Sequence, residues 1–179
     1  MADKKYGECP CAKAICDIEA MMMVLERLRC SCDVDAATTV FDEHYATDCV
    51  ATHVRQLVTD SKNLVAGALS SSSDREARLR ILVDATMHTL AAVFLHCCRL
   101  VAYSSSAVDR PSSPGVAANV ADNLMEAARS LRTTIDAVRA VLDAGSDAAA
   151  IDRSKNALLA TAASLAKSLS VLVQEVKTV

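Results

Sequence analysis

The amino-acid sequence predicts an all-α protein, an up-and-down antiparallel bundle of five helices. Aromatic residues make up only 3% of the 179 residues and Trp is absent, which is too few for a typical β-sandwich or barrel. Gly occurs four times and Pro three times, so long stretches of the chain contain no helix-breaking residue. Within these stretches apolar residues recur at spacings of three and four, the pattern of amphipathic helices.

The first two predicted helices each carry one apolar stripe. Residues 1–12 are expected to form a disordered or extended N-terminus, and the bundle is expected to span 13–179 as a single domain. The first helix is predicted over 13–32, with apolar positions at Ile15, Ile18, Met22, Leu25 and Leu28. The second is predicted over 40–69, with its stripe at Val50, Val54, Leu57, Ser61, Leu64 and Ala68.

The third predicted helix, over 74–103, is apolar over about half of its circumference. Asp74 follows a run of four Ser and is the expected N-cap. The apolar positions are Leu79, Leu82, Val83, Met87, Leu90, Val93, Phe94, Cys97, Leu100 and Val101. A face this wide needs several neighbours, so the third helix is expected to be the central member of the bundle.

The last two predicted helices, over 115–143 and 146–177, are separated by a very short connection. Gly145 lies just past the fourth helix and is expected to cap it. The fourth stripe is Val116, Val120, Leu124, Ala127, Leu131, Ile135, Val138 and Leu142. The fifth is Ile151, Leu158, Ala162, Leu165, Leu169, Leu172, Val173 and Val176. Connections this short force neighbouring helices to run antiparallel.

The charge pattern argues against nucleic acid and against a membrane span. Lys and Arg number 19 against 22 Asp and Glu, and no basic stripe suited to a phosphate backbone is present. The longest uncharged run, 85–98, has 14 residues and is too short to cross a bilayer. The start of the chain does not match a signal peptide. We therefore expect a cytoplasmic protein without a transmembrane segment.

No arrangement of residues suited to catalysis is found in the sequence. The four Gly are scattered and cannot form a phosphate-binding loop, and neither GxSxG nor HExxH occurs. His88 and His96 lie eight residues apart on one predicted helix, which does not place them as a pair of metal ligands. We predict no enzymatic activity and no cofactor.

Four of the eight Cys form two CxC pairs, Cys9 with Cys11 and Cys30 with Cys32. If Cys11 to Cys30 is helical, the pairs lie about 28 Å apart at about 1.5 Å per residue. Sulfurs on one zinc ion lie within about 4 Å of each other, so a shared site needs a broken helix or a second chain. No metal site is predicted, and a cysteine-based metal or thiol sensor stays as an alternative function.

Two predicted helices resemble those of a known group of bundles. The fifth is similar to the LxxAAxxVxxxVxxLIxxA pattern of vinculin-binding helices in talin rods, with a Thr in place of one Ala. The matching positions are Leu158, Thr161, Ala162, Leu165, Leu169, Leu172, Val173 and Val176. The second helix over 53–69, HVRQLVTDSKNLVAGAL, resembles helices of focal-adhesion-targeting domains and of talin and vinculin bundles. The whole chain faintly resembles a C-terminal helical region of neuronal scaffolds with FERM and PDZ domains.

The resemblance implies an adaptor module that docks short amphipathic helices, such as LD motifs, in a groove between two of its own helices. Its location would be the cytoplasm, at the cell cortex, adhesions or synapses. Such a groove needs a basic rim for the acidic residues of the ligand. The candidate rim residues flank the stripes of the second and fourth helices: Arg55, Lys62, Arg129, Arg132 and Arg139. The alternative is that these are solvated charges with partners on their own helix, such as Asp136 and Asp143.

Two further expectations concern assembly and modification. A talin-type linkage or self-association bundle, which could be a homodimer, is the alternative to helix docking. Ser113 precedes Pro114 and follows Arg110 in the connection between the third and fourth helices, so it is a candidate phosphorylation site.

Overall fold

The computed structural model describes residues 10–30, 43–70, 73–106, 114–145 and 147–177. Within these residues the chain forms five helices that pack against each other, and no strand. The helices are α1 (Pro10–Cys30), α2 (Glu43–Leu69), α3 (Arg75–Ser106), α4 (Pro114–Asp143) and α5 (Ala148–Lys177). The all-α prediction is confirmed for this part of the chain.

The bounds of the helices differ from the predicted ones by a few residues. Helix α1 begins at Pro10, so residues 10–12 are helical although they were expected in the disordered N-terminus. Pro is favoured at the first position of a helix, because its φ is already helical and its missing N–H has no partner there. Helix α3 continues to Ser106 because Ser costs little helix propensity in a last turn. Residues 31–42 lie outside the described part of the chain.

Polar residues and one Gly mark the ends of the helices. The carbonyl of Asp74 accepts a bond of 3.0 Å from the Arg78 N–H, which places Asp74 at the predicted N-cap position of α3. Gly145 follows α4 with a φ of 62°, the left-handed conformation of a helix-ending Gly, as predicted. The Asp147 carboxylate accepts a 3.1 Å bond from the Ala149 N–H and caps α5.

Helices α2 and α3 run antiparallel. The Thr89 hydroxyl donates a 2.6 Å hydrogen bond to the Asp60 carboxylate. Gly67 lies seven residues after Asp60 on α2, and it faces Leu82, which lies seven residues before Thr89 on α3. A Cβ at Gly67 would lie 2.7 Å from the Leu82 Cδ1, so the missing side chain makes room for the leucine. The two contacts are separated by seven residues on each helix, counted in opposite directions along the chain. They therefore define the antiparallel register of α2 and α3.

Four of the helices form a ring, and α1 lies outside it. Helix α2 packs against α3 and α5, and α4 packs against the same two. Helix α1 contacts α3 and α4, and within the described residues it does not contact α2 or α5. Helix α4 touches all four other helices, so it is the central member, and the prediction for the third helix was wrong.

The central position of α4 follows from its small side chains. Its buried apolar residues include three alanines, Ala121, Ala127 and Ala128, which let neighbouring helices approach on more than one side. Alanines do not stand out in an apolar pattern, whereas the large apolar residues of α3 do. The wide apolar surface of α3 is shared among three neighbours, α1, α2 and α4.

The predicted apolar stripes form the core. All six stripe positions of α2, including Ser61, are buried, and so are Leu158, Leu165, Leu169, Leu172 and Val176 of α5. On α1, Ile18 and Leu25 are buried as expected. The buried position Cys11 was missed because the helix begins earlier than predicted, and Ala14, which lies inside the predicted range, was not assigned to the stripe.

Two stretches of the described chain are long and apolar enough to cross a membrane. They are Arg75–Arg99, with a mean hydropathy of 1.6, and Ala148–Val176, with a mean hydropathy of 1.4. Each stretch includes charged residues and is therefore longer than any uncharged run in the sequence. The core helix of a water-soluble bundle passes the same length and composition test, so this finding is weak evidence for a membrane.

Candidate helix-docking site

The predicted rim residues of α2 lie apart from α1. Arg55 and Lys62 are both exposed on α2, and among the described residues neither side chain forms an ion pair. Because α2 does not contact α1, these two residues do not border the surface that α1 covers.

Two of the three predicted rim residues of α4 pair within their own helix. The Arg129 guanidinium lies 3.2 Å from the Glu126 carboxylate, and that of Arg139 lies 3.8 Å from the Asp143 carboxylate. The expected intrahelical partner of Arg139 is confirmed. Exposed pairs of this spacing contribute only about 0.3–0.5 kcal/mol each, so a partner could displace them easily.

Arg132 forms an ion pair with a different helix. Its guanidinium lies 2.7 Å from the Glu19 carboxylate of α1, and both side chains are about half exposed, at 46% and 50%. Arg132 therefore joins α4 to α1, which the sequence did not indicate. Glu19 directly follows Ile18, a residue of the α1 stripe. An acidic residue beside an apolar stripe was the sequence feature that could have indicated an ion pair with a neighbouring helix.

The buried face of α1 fits between α3 and α4. Its fully buried side chains are spaced by three, four and seven residues: Cys11, Ala14, Ile18 and Leu25. Since α3 and α4 also contact each other, α1 lies in the groove between them. An amphipathic helix thus rests with its apolar stripe in a groove and its acidic Glu19 on a basic rim.

A cleft of about 250 Å³ lies between the first turns of α1 and the first half of α3. It is lined by Pro10, Lys13, Ala14, Asp17, Arg80, Ile81, Val83, Asp84 and Met87. Ile81 at its edge is 69% exposed. The short side chains of Pro10 and Ala14 leave this space, which a longer apolar side chain could occupy.

The described cysteine side chains differ in exposure. Cys11 and Cys97 are buried, and Cys16 is exposed. Burial raises the pKa of the Cys97 thiol to about 12, and burial also raises the pKa of Cys98. Helix α1 is continuous from Pro10 to Cys30, so Cys11 and the backbone of Cys30 lie at its opposite ends. The described residues contain no group of three or more His, Cys, Asp or Glu placed to hold a metal ion.

Several predicted positions lie outside the described residues. These are Cys9, Cys32 and the candidate phosphorylation site Ser113, and the side chain of Cys30 belongs with them.

No protein-family model matches the chain, and no curated protein sequence matches it. The resemblance of α5 to vinculin-binding helices stays a prediction.

Proposed function

We propose that the chain is a non-enzymatic protein–protein interaction module of a cytoplasmic scaffold or adaptor. It docks a short amphipathic helix of a partner in the groove between α3 and α4. The observation that supports this proposal is the seating of α1, with Ile18 and Leu25 buried and Glu19 within 2.7 Å of Arg132. A groove that accepts one amphipathic helix offers the same apolar floor and the same cation to another.

In this proposal α1 is the intramolecular occupant of the site, and the partner helix competes with it. Helix α1 lies outside the ring of α2 to α5, so its departure leaves the contacts that close the ring in place. The partner needs apolar residues at the spacings of the α1 stripe and an acidic residue beside the central one. These are the features of an acidic amphipathic helix of the LD-motif kind.

We also propose that the five helices form an up-and-down bundle. The antiparallel register of α2 and α3 supports this arrangement. The short connection between Asp143 and Ala148 supports the same relation for α4 and α5, which also meet where Ser130 and Ser168 lie 3.2 Å apart. Spin labels at exposed positions near the helix ends would measure the directions of all five.

The docking proposal is tested with a fluorescent peptide of residues 10–30, the sequence of α1. Ile18→Asp in the full chain places a charge in the groove and is expected to detach α1. The variant should bind the peptide at least about 10-fold more tightly than the wild type, because its groove is vacant. Met23→Asp is the matched control, since Met23 is on the same helix but 59% exposed. It should bind like the wild type.

The same assay tests the basic rim. A peptide with Glu19→Arg should bind Ile18→Asp chains more weakly, and adding Arg132→Glu to the chain should restore that binding. Circular dichroism of each variant checks that its helices are retained. If the Ile18→Asp and Met23→Asp variants bind the peptide equally, the α3–α4 groove is not the docking site.

A further inference from the structure

Two histidines on different helices stack against each other at the α2–α3 contact. The ring centroids of His53 and His96 lie 5.3 Å apart, and the ring planes differ by 12°. Both residues are partly exposed. The hydrogen bond from Thr89 to Asp60 lies seven residues away on each helix and fixes the same antiparallel register. The two imidazoles are thus held side by side by the packing of the helices.

The ring nitrogens of this pair have no partner among the described residues. Within the described residues neither His53 nor His96 forms a hydrogen bond or an ion pair. His88 on the same helix differs, because its Nδ1 lies 2.9 Å from the Asp84 carbonyl oxygen. The pKa of His96 is lowered mainly by burial, and to a smaller extent by the nearby His53 and Arg99. The lower pKa favours the neutral form of His96. A neutral imidazole offers a nitrogen lone pair to a metal ion.

We propose that His53 and His96 form a two-imidazole binding site for a borderline divalent cation such as Zn²⁺ or Ni²⁺, which joins α2 to α3. Imidazole nitrogens bind such ions at about 2.0–2.1 Å. Two nitrogen ligands of one tetrahedral ion therefore lie about 3.4 Å apart, and rotation of the imidazoles about χ2, a torsion that is broad for His, would turn the lone pairs of the two rings toward a shared ion. No group of three ligands is present in the described residues, so water completes the coordination.

The positive charge of Arg99 weakens binding of the metal ion at this site. Arg99 lies close enough to His96 to lower the pKa of that residue, and its positive charge acts on a bound metal ion in the same direction. Replacing Arg99 by Gln is therefore expected to strengthen metal binding several-fold. This increase separates the proposed site from nonspecific binding elsewhere on the surface, where Arg99 has no influence.

The test measures thermal unfolding of the full chain at pH 7.5, with EDTA or with 1 mM NiCl₂. The wild-type Tm is expected to rise by about 3 °C or more with Ni²⁺. His53→Gln and His96→Gln should each abolish the rise, whereas the matched variant His88→Gln should keep it. The comparison uses the shift between the two conditions, so a variant that is less stable without metal remains informative.

A second measurement does not depend on stability. In an NMR spectrum selective for imidazole nitrogens, paramagnetic Ni²⁺ should broaden the signals of His53 and His96 before that of His88. The proposal is wrong if Ni²⁺ leaves the wild-type Tm unchanged, or if the His53→Gln, His96→Gln double variant shows the same rise. Equal broadening of the signals of His53, His88 and His96 would also overturn it.

Discussion

The hydroxyl of Ser61 is a stability defect in the core, and its removal should stabilise the protein. Ser61 lies within the apolar stripe of α2 and is only 4% exposed. Its Oγ is buried and has no hydrogen-bond partner among the described residues. Thr134 on α4 is buried as well, but its hydroxyl donates a 2.8 Å bond to the Ser130 carbonyl. Among the described residues, Ser61 is therefore a buried hydroxyl that loses its hydrogen bonds to water on folding and gains none from the protein.

The size of the effect follows from two contributions. A buried polar group without a partner costs about 1–3 kcal/mol of folding free energy. Ala also has a higher helix propensity than Ser, by at most about 0.7 kcal/mol. Loss of the oxygen leaves a small void, which offsets part of this gain. Ser61→Ala is therefore expected to raise the free energy of unfolding by about 1–2 kcal/mol.

The assay is urea unfolding followed by circular dichroism at 222 nm. The transition midpoint should rise at an unchanged m-value, and the Tm should rise by about 2–8 °C. Ser130→Ala is the matched control, since Ser130 is also buried but its Oγ lies 3.2 Å from the Oγ of Ser168. That variant should be neutral or less stable than the wild type. A loss of stability in Ser61→Ala, or equal changes in the two variants, would refute the reasoning.

Three further predictions concern the α1 contact, pH and thiol reactivity. Glu19→Arg and Arg132→Glu should each lower the free energy of unfolding by about 0.2–1 kcal/mol, and the double variant should recover most of it in a double-mutant cycle; additive losses would contradict the ion pair. The pKa of His96 is lowered mainly by burial, and to a smaller extent by the neighbouring imidazole and a nearby arginine. His96 therefore binds a proton more readily in the unfolded chain than in the folded one. In EDTA, stability should therefore be full above about pH 6.5 and fall as the pH drops below it, and His96→Gln should flatten the profile. Iodoacetamide at pH 8 should label the exposed Cys16 but not Cys97, whose pKa is about 12, until urea unfolds the chain; peptide mass spectrometry distinguishes the two sites.

Apolar periodicity was enough to predict which side of each long helix is buried. On α2 the spacing of three and four residues identified all six buried stripe positions, because a helix brings such positions onto one face. The helix-ending role of Gly145 was equally local, since only the backbone conformation at one residue decides it.

Which helix faces which is not encoded in such local patterns. Glu19 and Arg132 each look like a solvated charge in the sequence, and only the packing of α1 on α4 brings them together. The same holds for His53 and His96, since their contact depends on the register of two helices. By contrast, the pairing of Arg139 with Asp143 spans one helical turn and could be predicted from spacing.

The position of α1 outside the ring has a consequence for the order of events on the ribosome. Glu19 and Arg132 lie about 110 residues apart in the chain, so α1 leaves the ribosome long before the second wall of its groove exists. At about 5–20 residues per second, the delay is about 6–22 s. During that interval the apolar stripe of α1 lacks the α4 wall of its groove. The nascent protein therefore offers α1 to chaperones, or to a finished copy of the same groove, before it can close on itself.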